Sequence, residues 1–153
     1  MLLTVIVILA SSLRFYQIGK LSMIYDEIFT YNSAKSLVIY DPNMAFFDLI
    51  AHFWENIFPN ASDGMLRVLP AIFSILSIPV VFLLGKEIEN NKDISTKIGL
   101  LSALLVSLNA FHINYAQFYR SYSLVFLLTS LSTLLLIMAI KNTLEKSKSF
   151  NYW

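Results

Sequence analysis

Apolar residues gather into four long runs separated by polar stretches, and the run lengths set the expected architecture. Residues 1–18 are apolar apart from Thr4, Ser11, Ser12 and Gln17, with Arg14 as the single charge. As a helix, a run of about 18 residues just crosses ~30 Å of hydrocarbon. Runs at 65–84, 98–116 and 121–140 predict three further spans, the second carrying Pro70 and Pro79. Proline is tolerated inside membrane helices where neighbours satisfy the freed carbonyls. The pattern predicts an all-α integral membrane protein of about four transmembrane helices, with residues 1–153 as one unit. A cleaved signal peptide is the alternative for the first run, since Ala10 and Ser12 resemble a small-x-small cleavage site. No basic residue precedes the run, which favours a retained span. Arg14 is then expected to snorkel to the interface, beside Phe15 and Tyr16 in the aromatic belt.

The connection at 19–64 has its own pattern. Over 44–58, Phe46, Phe47, Ile50, Phe53, Trp54 and Ile57 recur at helical spacing, with Asp48, His52 and Glu55 as a narrow polar stripe. One or two interfacial helices are expected in this loop. The stripe reads as a solvated face; a metal site from its three side chains is the alternative at that spacing.

Composition reinforces the membrane reading: 57% of residues are hydrophobic and 14% charged, with mean hydropathy +0.65. A soluble domain is typically about 25% charged. A net charge of +1 gives no field suited to nucleic acid. The absence of cysteine excludes disulfides, thiolate metal sites and thiol nucleophiles. Four glycines, with no glycine-rich phosphate loop, argue against a nucleotide-binding domain. Lysines fix an orientation. Three lie in 86–97 and three in 141–148, whereas 18–66 holds only Lys20 and Lys35 against six carboxylates. The positive-inside rule puts 86–97 and the tail in the cytoplasm, and the long connection outside.

Candidate chemistry collects on that outer side. Asp26 and Glu27 follow the first span in a mostly apolar setting, where an unpaired carboxylate costs free energy. On a helix, neighbouring residues diverge by about 100°, so the two do not face one atom. One is a base or ligand while the other makes a structural pair, or both are helix-start acids favoured by the dipole. Arg67 and Arg120 fall at outer ends of spans, where guanidinium groups suit a lipid phosphate or snorkel to headgroups. His112, Gln117 and Tyr122 lie close to Arg120 in sequence.

Four stretches in series resemble a known family. Leu13-Arg14-Phe15-Tyr16-Gln17-Ile18-Gly19 with Asp26-Glu27, then Asn43–Trp54 with His52 and Trp54, then Leu66-Arg67-Val68-Leu69-Pro70-Ala71, and Phe111–Gln117 through Arg120 and Tyr122, are similar in order and spacing to the N-terminal region of the GT-C membrane glycosyltransferases. The likeness is to the polyprenyl-phosphate-sugar-dependent group, which includes dolichyl-phosphate-mannose protein mannosyltransferases and the aminoarabinose transferase of lipid A. Departures occur where the family has Pro-Pro, Tyr-Tyr and the acid after Gln; Met44-Ala45, Phe47-Asp48 and Phe118 stand there instead. Family members are several times longer, so the chain is expected to be the N-terminal part of one.

The resemblance implies inverting transfer of a sugar from a polyprenyl phosphate to an acceptor hydroxyl, on a lipid, glycan or protein, at the outer face of the cell membrane. It implies Asp26 as general base, or as a residue positioning a divalent metal, with Glu27 in support. Arg67 or Arg120 would meet charge on the leaving phosphate, and His52, His112, Gln117 and Tyr122 would contact substrate. No cofactor is fixed by the sequence; a divalent metal is compatible with it. A noncatalytic membrane subunit built on the same helices is the competing reading. A transporter is a third, disfavoured because the charges sit at the outer ends of the spans.

Overall fold

The computed structural model describes the backbone of residues 1–150 and the side chains of residues 1–144. Within these limits the chain is all helical, without a strand. The elements are α1 (Leu2–Phe15), α2 (Tyr25–Ser36), a 3-10 turn (Pro42–Met44), α3 (Ala45–Ile57), α4 (Asp63–Lys86), α5 (Lys92–Leu108), α6 (Ala110–Ala116) and α7 (Tyr122–Phe150). Of the lysine-rich tail, Lys141 lies within the described side chains, whereas Lys146, Lys148 and the terminal Asn151-Tyr152-Trp153 lie outside them.

Helix α4 is the axis of the bundle and packs against α1, α3, α5, α6 and α7. Ser62 starts it by accepting a hydrogen bond from the Met65 N–H at 3.3 Å, the usual role of a serine N-cap. Pro70 and Pro79 sit inside it without ending it. Close approach of α4 and α5 depends on Gly85 and Gly99, since a Cβ on Gly99 would stand 2.6 Å from the Phe82 carbonyl oxygen. Ile6, Ala10, Ile78 and Ala103 fill the core between α1, α4 and α5. A second core, around Phe47, Leu66, Leu69 and Tyr119, joins α3 and the 117–121 turn to the N-terminal end of α4.

Two helices, α4 and the Tyr122–Leu144 part of α7, are long and apolar enough to cross a membrane. The bent pair α5 and α6 makes up to three. The expectation of four spans is therefore not met by helix length alone, for two physical reasons. Helix α1 has 14 residues, about 21 Å, and the chain then turns through Gln17 in the left-handed region at φ 54°. The run at 98–116 is not one helix: it breaks by 61° at Asn109. There the Asn109 side chain accepts from the His112 N–H at 2.9 Å and starts a new helix, so capping chemistry overrides a continuous apolar run.

The helix expected over 44–58 forms as α3, but part of its polar stripe turns inward together with part of its apolar face: Phe47 is buried, and Ile50 and Trp54 pack against the core. Phe46, Phe53 and Ile57 are exposed, while Asp48 is buried and Glu55 half-buried against the body. The polar stripe of α3 is not a solvated face; it packs toward α2 and the 117–121 turn. Arg14 departs from expectation too, being fully buried rather than snorkelling.

Candidate functional site

The acidic pair opens α2, and its two members part at once. Glu27 is buried, whereas Asp26 is exposed. Glu27 sits one turn into the helix and accepts from the Ile24 N–H at 3.1 Å, the reach-back half of a capping box. It also accepts from the Tyr119 N–H at 2.8 Å and from Arg67 through Nε at 2.8 Å and Nη2 at 2.7 Å. Burial alone would raise the Glu27 pKa, but these hydrogen bonds and the Arg67 charge hold it below its ordinary value.

Arg67 spends every donor in the same place. Nη1 donates to the carbonyls of Ile18 and Leu21, and Nη2 also to that of Ser22. With the two bonds to Glu27, all five N–H groups of the guanidinium are engaged. Arg67 thus clamps the 18–22 loop, α2 and the 117–121 turn onto α4, and in this arrangement offers no N–H to a phosphate. The clamp needs the loop to lie against α4, which Gly19 and Gly64 permit: a Cβ on Gly64 would stand 3.1 Å from the Gly19 Cα.

Arg120 is the opposite case. Nη1 donates to the Asp26 carbonyl at 3.2 Å, Nη2 lies 3.9 Å from the Asp41 carboxylate, and Nε is buried without a partner. Asp26, Asp41, Asp48 and Arg120 line one cavity of about 260 Å³, whose wall also includes Phe29 and Tyr40. Asp48 brings a buried Oδ1 that likewise has no hydrogen-bond partner. Its pKa is raised by burial, offset in part by the Arg120 charge.

The remaining predicted residues lie elsewhere. His52 has Nδ1 2.8 Å from the Ala34 carbonyl and Nε2 2.9 Å from the Asn56 amide. It borders a separate cavity of about 200 Å³ with Glu55, Lys35 and Asn56. Burial raises the Glu55 pKa, and the Tyr119 hydroxyl, donating at 3.0 Å, works against the rise. Because Asp48 lines a different cavity, the Asp48, His52 and Glu55 metal site does not assemble. Among the described residues no group of three or more His, Cys, Asp or Glu is arranged to hold a metal. Gln117 donates to the carbonyls of Arg14 at 3.0 Å and Tyr16 at 2.9 Å, bracing the turn against the end of α1. His112 and Tyr122 border an apolar cavity of about 340 Å³ between α5, α6 and α7.

His112 is held by a further network. Arg14 donates from Nε to Ser74 Oγ at 2.6 Å, and from Nη2 to His112 Nδ1 at 2.8 Å and the Val106 carbonyl at 3.3 Å. Nη1 takes the carbonyls of Ala10 and Ser107. Among the described residues no carboxylate pairs with Arg14. Its satisfaction comes from helix carbonyls and a serine, which joins α1, α4 and α5.

Two residues of the site escaped the sequence-based expectation. Tyr119, fully buried, gives its N–H to Glu27 and its hydroxyl to Glu55, and so links both carboxylates. Asp48 was visible only as part of a polar stripe, with nothing in the sequence to show that it is buried beside Phe47. No family model, curated protein or solved structure matches the chain.

Proposed function

We propose that the chain forms the outer-face catalytic region of a membrane glycosyltransferase that uses a polyprenyl-phosphate-linked sugar. The observation that carries this reading is the shared cavity of Asp26 and Arg120. It pairs an exposed carboxylate with a cation that keeps most of its donors free. Asp26 takes the proton of an acceptor hydroxyl; that oxygen bonds to the anomeric carbon with inversion as the bond to the phosphate oxygen breaks. Arg120 meets the charge left on the polyprenyl phosphate. Glu27 and Arg67 hold this geometry and do not touch substrate. In this reading α1 is the first of four spans, the 86–97 loop is cytoplasmic and the α2–α3 cap is extracytoplasmic.

The test is transfer of labelled sugar from polyprenyl-phosphate donors to membrane acceptors, with the protein in its natural sequence context in sealed vesicles of known sidedness. Transfer confined to the face bearing α2 and α3 supports the proposal. Absence of transfer with several sugars, from stably inserted protein, favours a noncatalytic membrane subunit.

A further inference from the structure

The cavity between α2 and α3 carries one charge of each sign, and neither closes on the other. Glu55 lines it with a half-buried carboxylate. Its Oε1 accepts from the Tyr119 hydroxyl at 3.0 Å, while Oε2 has no partner among the described residues and is open to solvent. Lys35 lines the same cavity, exposed, with Nζ 3.2 Å from the Tyr31 hydroxyl and 5.3 Å from the centre of that ring. One of its three N–H groups is thereby used, and among the described residues it makes no ion pair.

The neighbouring polar groups add an acceptor rather than a donor. A backbone carbonyl only accepts, so His52 carries its proton on Nδ1, facing the Ala34 carbonyl at 2.8 Å. Nε2 then accepts from the Asn56 amide nitrogen at 2.9 Å, which leaves Asn56 Oδ1 as the group that side chain has to offer. Two acceptors, Glu55 Oε2 and Asn56 Oδ1, thus share the cavity with one ammonium. The complement is a zwitterion with an N–H-bearing cation at one end and an anion at the other. A trimethylammonium has no N–H for the two acceptors, and a neutral polyol leaves both charges unmatched.

The place of the cavity indicates the source of such a group. Its wall includes Phe58, Asn60 and Leu66, on the connection into α4 and its first turns. Helix α4 is long and apolar enough to cross a membrane, so this end of it stands at the level of lipid headgroups. On α3, exposed Leu49 and Phe53 each lie three residues before His52 and Asn56, which puts an apolar stripe beside the cavity. A volume of about 200 Å³, below the ~300–1,000 Å³ of drug-sized sites, admits a headgroup and leaves acyl chains outside, along that stripe.

We propose that this cavity is a lipid site that takes the phosphoethanolamine headgroup of a membrane phospholipid, its ammonium on Glu55 and Asn56 and its phosphate on Lys35. The inference stands apart from sugar transfer: it concerns another cavity, and binding alone tests it.

The experiment is native mass spectrometry of the chain released from micelles, titrated with phospholipids of matched acyl chains. The headgroups are ethanolamine, its mono- and dimethyl forms, choline and glycerol, with free phosphoethanolamine as the soluble control. Retention is expected to be strongest for ethanolamine and to fall with each methyl added. Glu55→Gln keeps an acceptor for Tyr119 and removes the charge, and it is expected to weaken ethanolamine-lipid binding about tenfold or more. Lys35→Met, at an exposed position, supplies a second test and is expected to weaken it about threefold. Equal retention of choline or glycerol lipids, or ethanolamine-lipid binding undiminished in both variants, overturns the site. Free phosphoethanolamine binding as tightly as the lipid overturns the lipid as its occupant.

Discussion

Arg67 meets Glu27 side-on, Nε to Oε1 at 2.8 Å and Nη2 to Oε2 at 2.7 Å, with both side chains almost wholly buried. The pair ties α2 to α4, and through Arg67's other donors it fixes the 18–22 loop as well. Removing one partner of a buried ion pair costs about 3–5 kcal/mol, because the other charge is left uncompensated. Glu27→Gln is expected to lower the thermal midpoint in micelles sharply. Arg67→Lys is expected to fall nearly as far, since an ammonium has three donors for the acceptors that Arg67 serves with five. A midpoint unchanged in both would show that the clamp does not carry the cap.

Acid should act on stability with two opposite signs. Glu27 is held below its ordinary 4.5, so its stabilisation is present above that value and is lost as pH falls through the lower folded pKa. Asp48 and Glu55 are raised by burial above their ordinary 3.8 and 4.5. They take up protons earlier folded than unfolded, so the native state gains as pH falls toward those values. Melting followed from neutral pH downward is expected to show a mild rise and then a steep fall below about 4.5. Asp48→Asn flattens the rise. A fall beginning near neutrality would contradict these assignments.

The contact of Gly19 with Gly64 predicts a steric effect at a distance from any charge. Gly64→Val puts its Cβ 3.1 Å from the Gly19 Cα and lifts the 18–22 loop from α4. Overpacking of this kind typically costs about 1–3 kcal/mol, and here it also withdraws carbonyls from Arg67. Proteolysis of the native protein in the 18–22 loop is expected to accelerate more in Gly64→Val than in Gly64→Ala. Equal rates in all three proteins would remove the contact from the account.

Arg14 gives a prediction inside the bundle. Its guanidinium serves five acceptors on α1, α4, α5 and α6, namely the Ala10, Val106 and Ser107 carbonyls, the Ser74 hydroxyl and the His112 ring, with no carboxylate among them. Each buried polar group left unpaired costs about 1–3 kcal/mol, so Arg14→Met is expected to destabilise despite matching the apolar surroundings. Asn109→Ala, which removes a cap, should cost about 1 kcal/mol and loosen the α5–α6 bend. An Arg14→Met protein as stable as wild type would show that the network is incidental.

These residues also mark where a linear reading of the chain reaches its limit. The apolar runs that become α4 and α7 were plain, because an uninterrupted run of such length has few other ways to bury its backbone. The α3 helix was plain from its spacing, but its orientation was not. Aromatic residues flank Asp48 on both sides of the polar stripe, and in a membrane setting exposure of Phe46 and Phe53 is no penalty. The break at Asn109 was hidden because hydropathy outweighs a single asparagine until its capping bond to His112 is seen. The split between Asp26 and Glu27 followed from helical geometry; which of them turns inward depended on Arg67 and Tyr119, 40 and 92 residues away.

The proposed function divides the pair, giving Glu27 to the fold and Asp26 to the reaction. The most direct measurement is sugar transfer and thermal midpoint on the same preparations of wild type, Asp26→Asn and Glu27→Gln. Asp26→Asn is expected to melt with wild type and lose transfer by about 100-fold or more, the loss expected on removing a general base. Glu27→Gln is expected to lose midpoint first, and activity only with it. Full turnover in a stably folded Asp26→Asn protein would contradict the account.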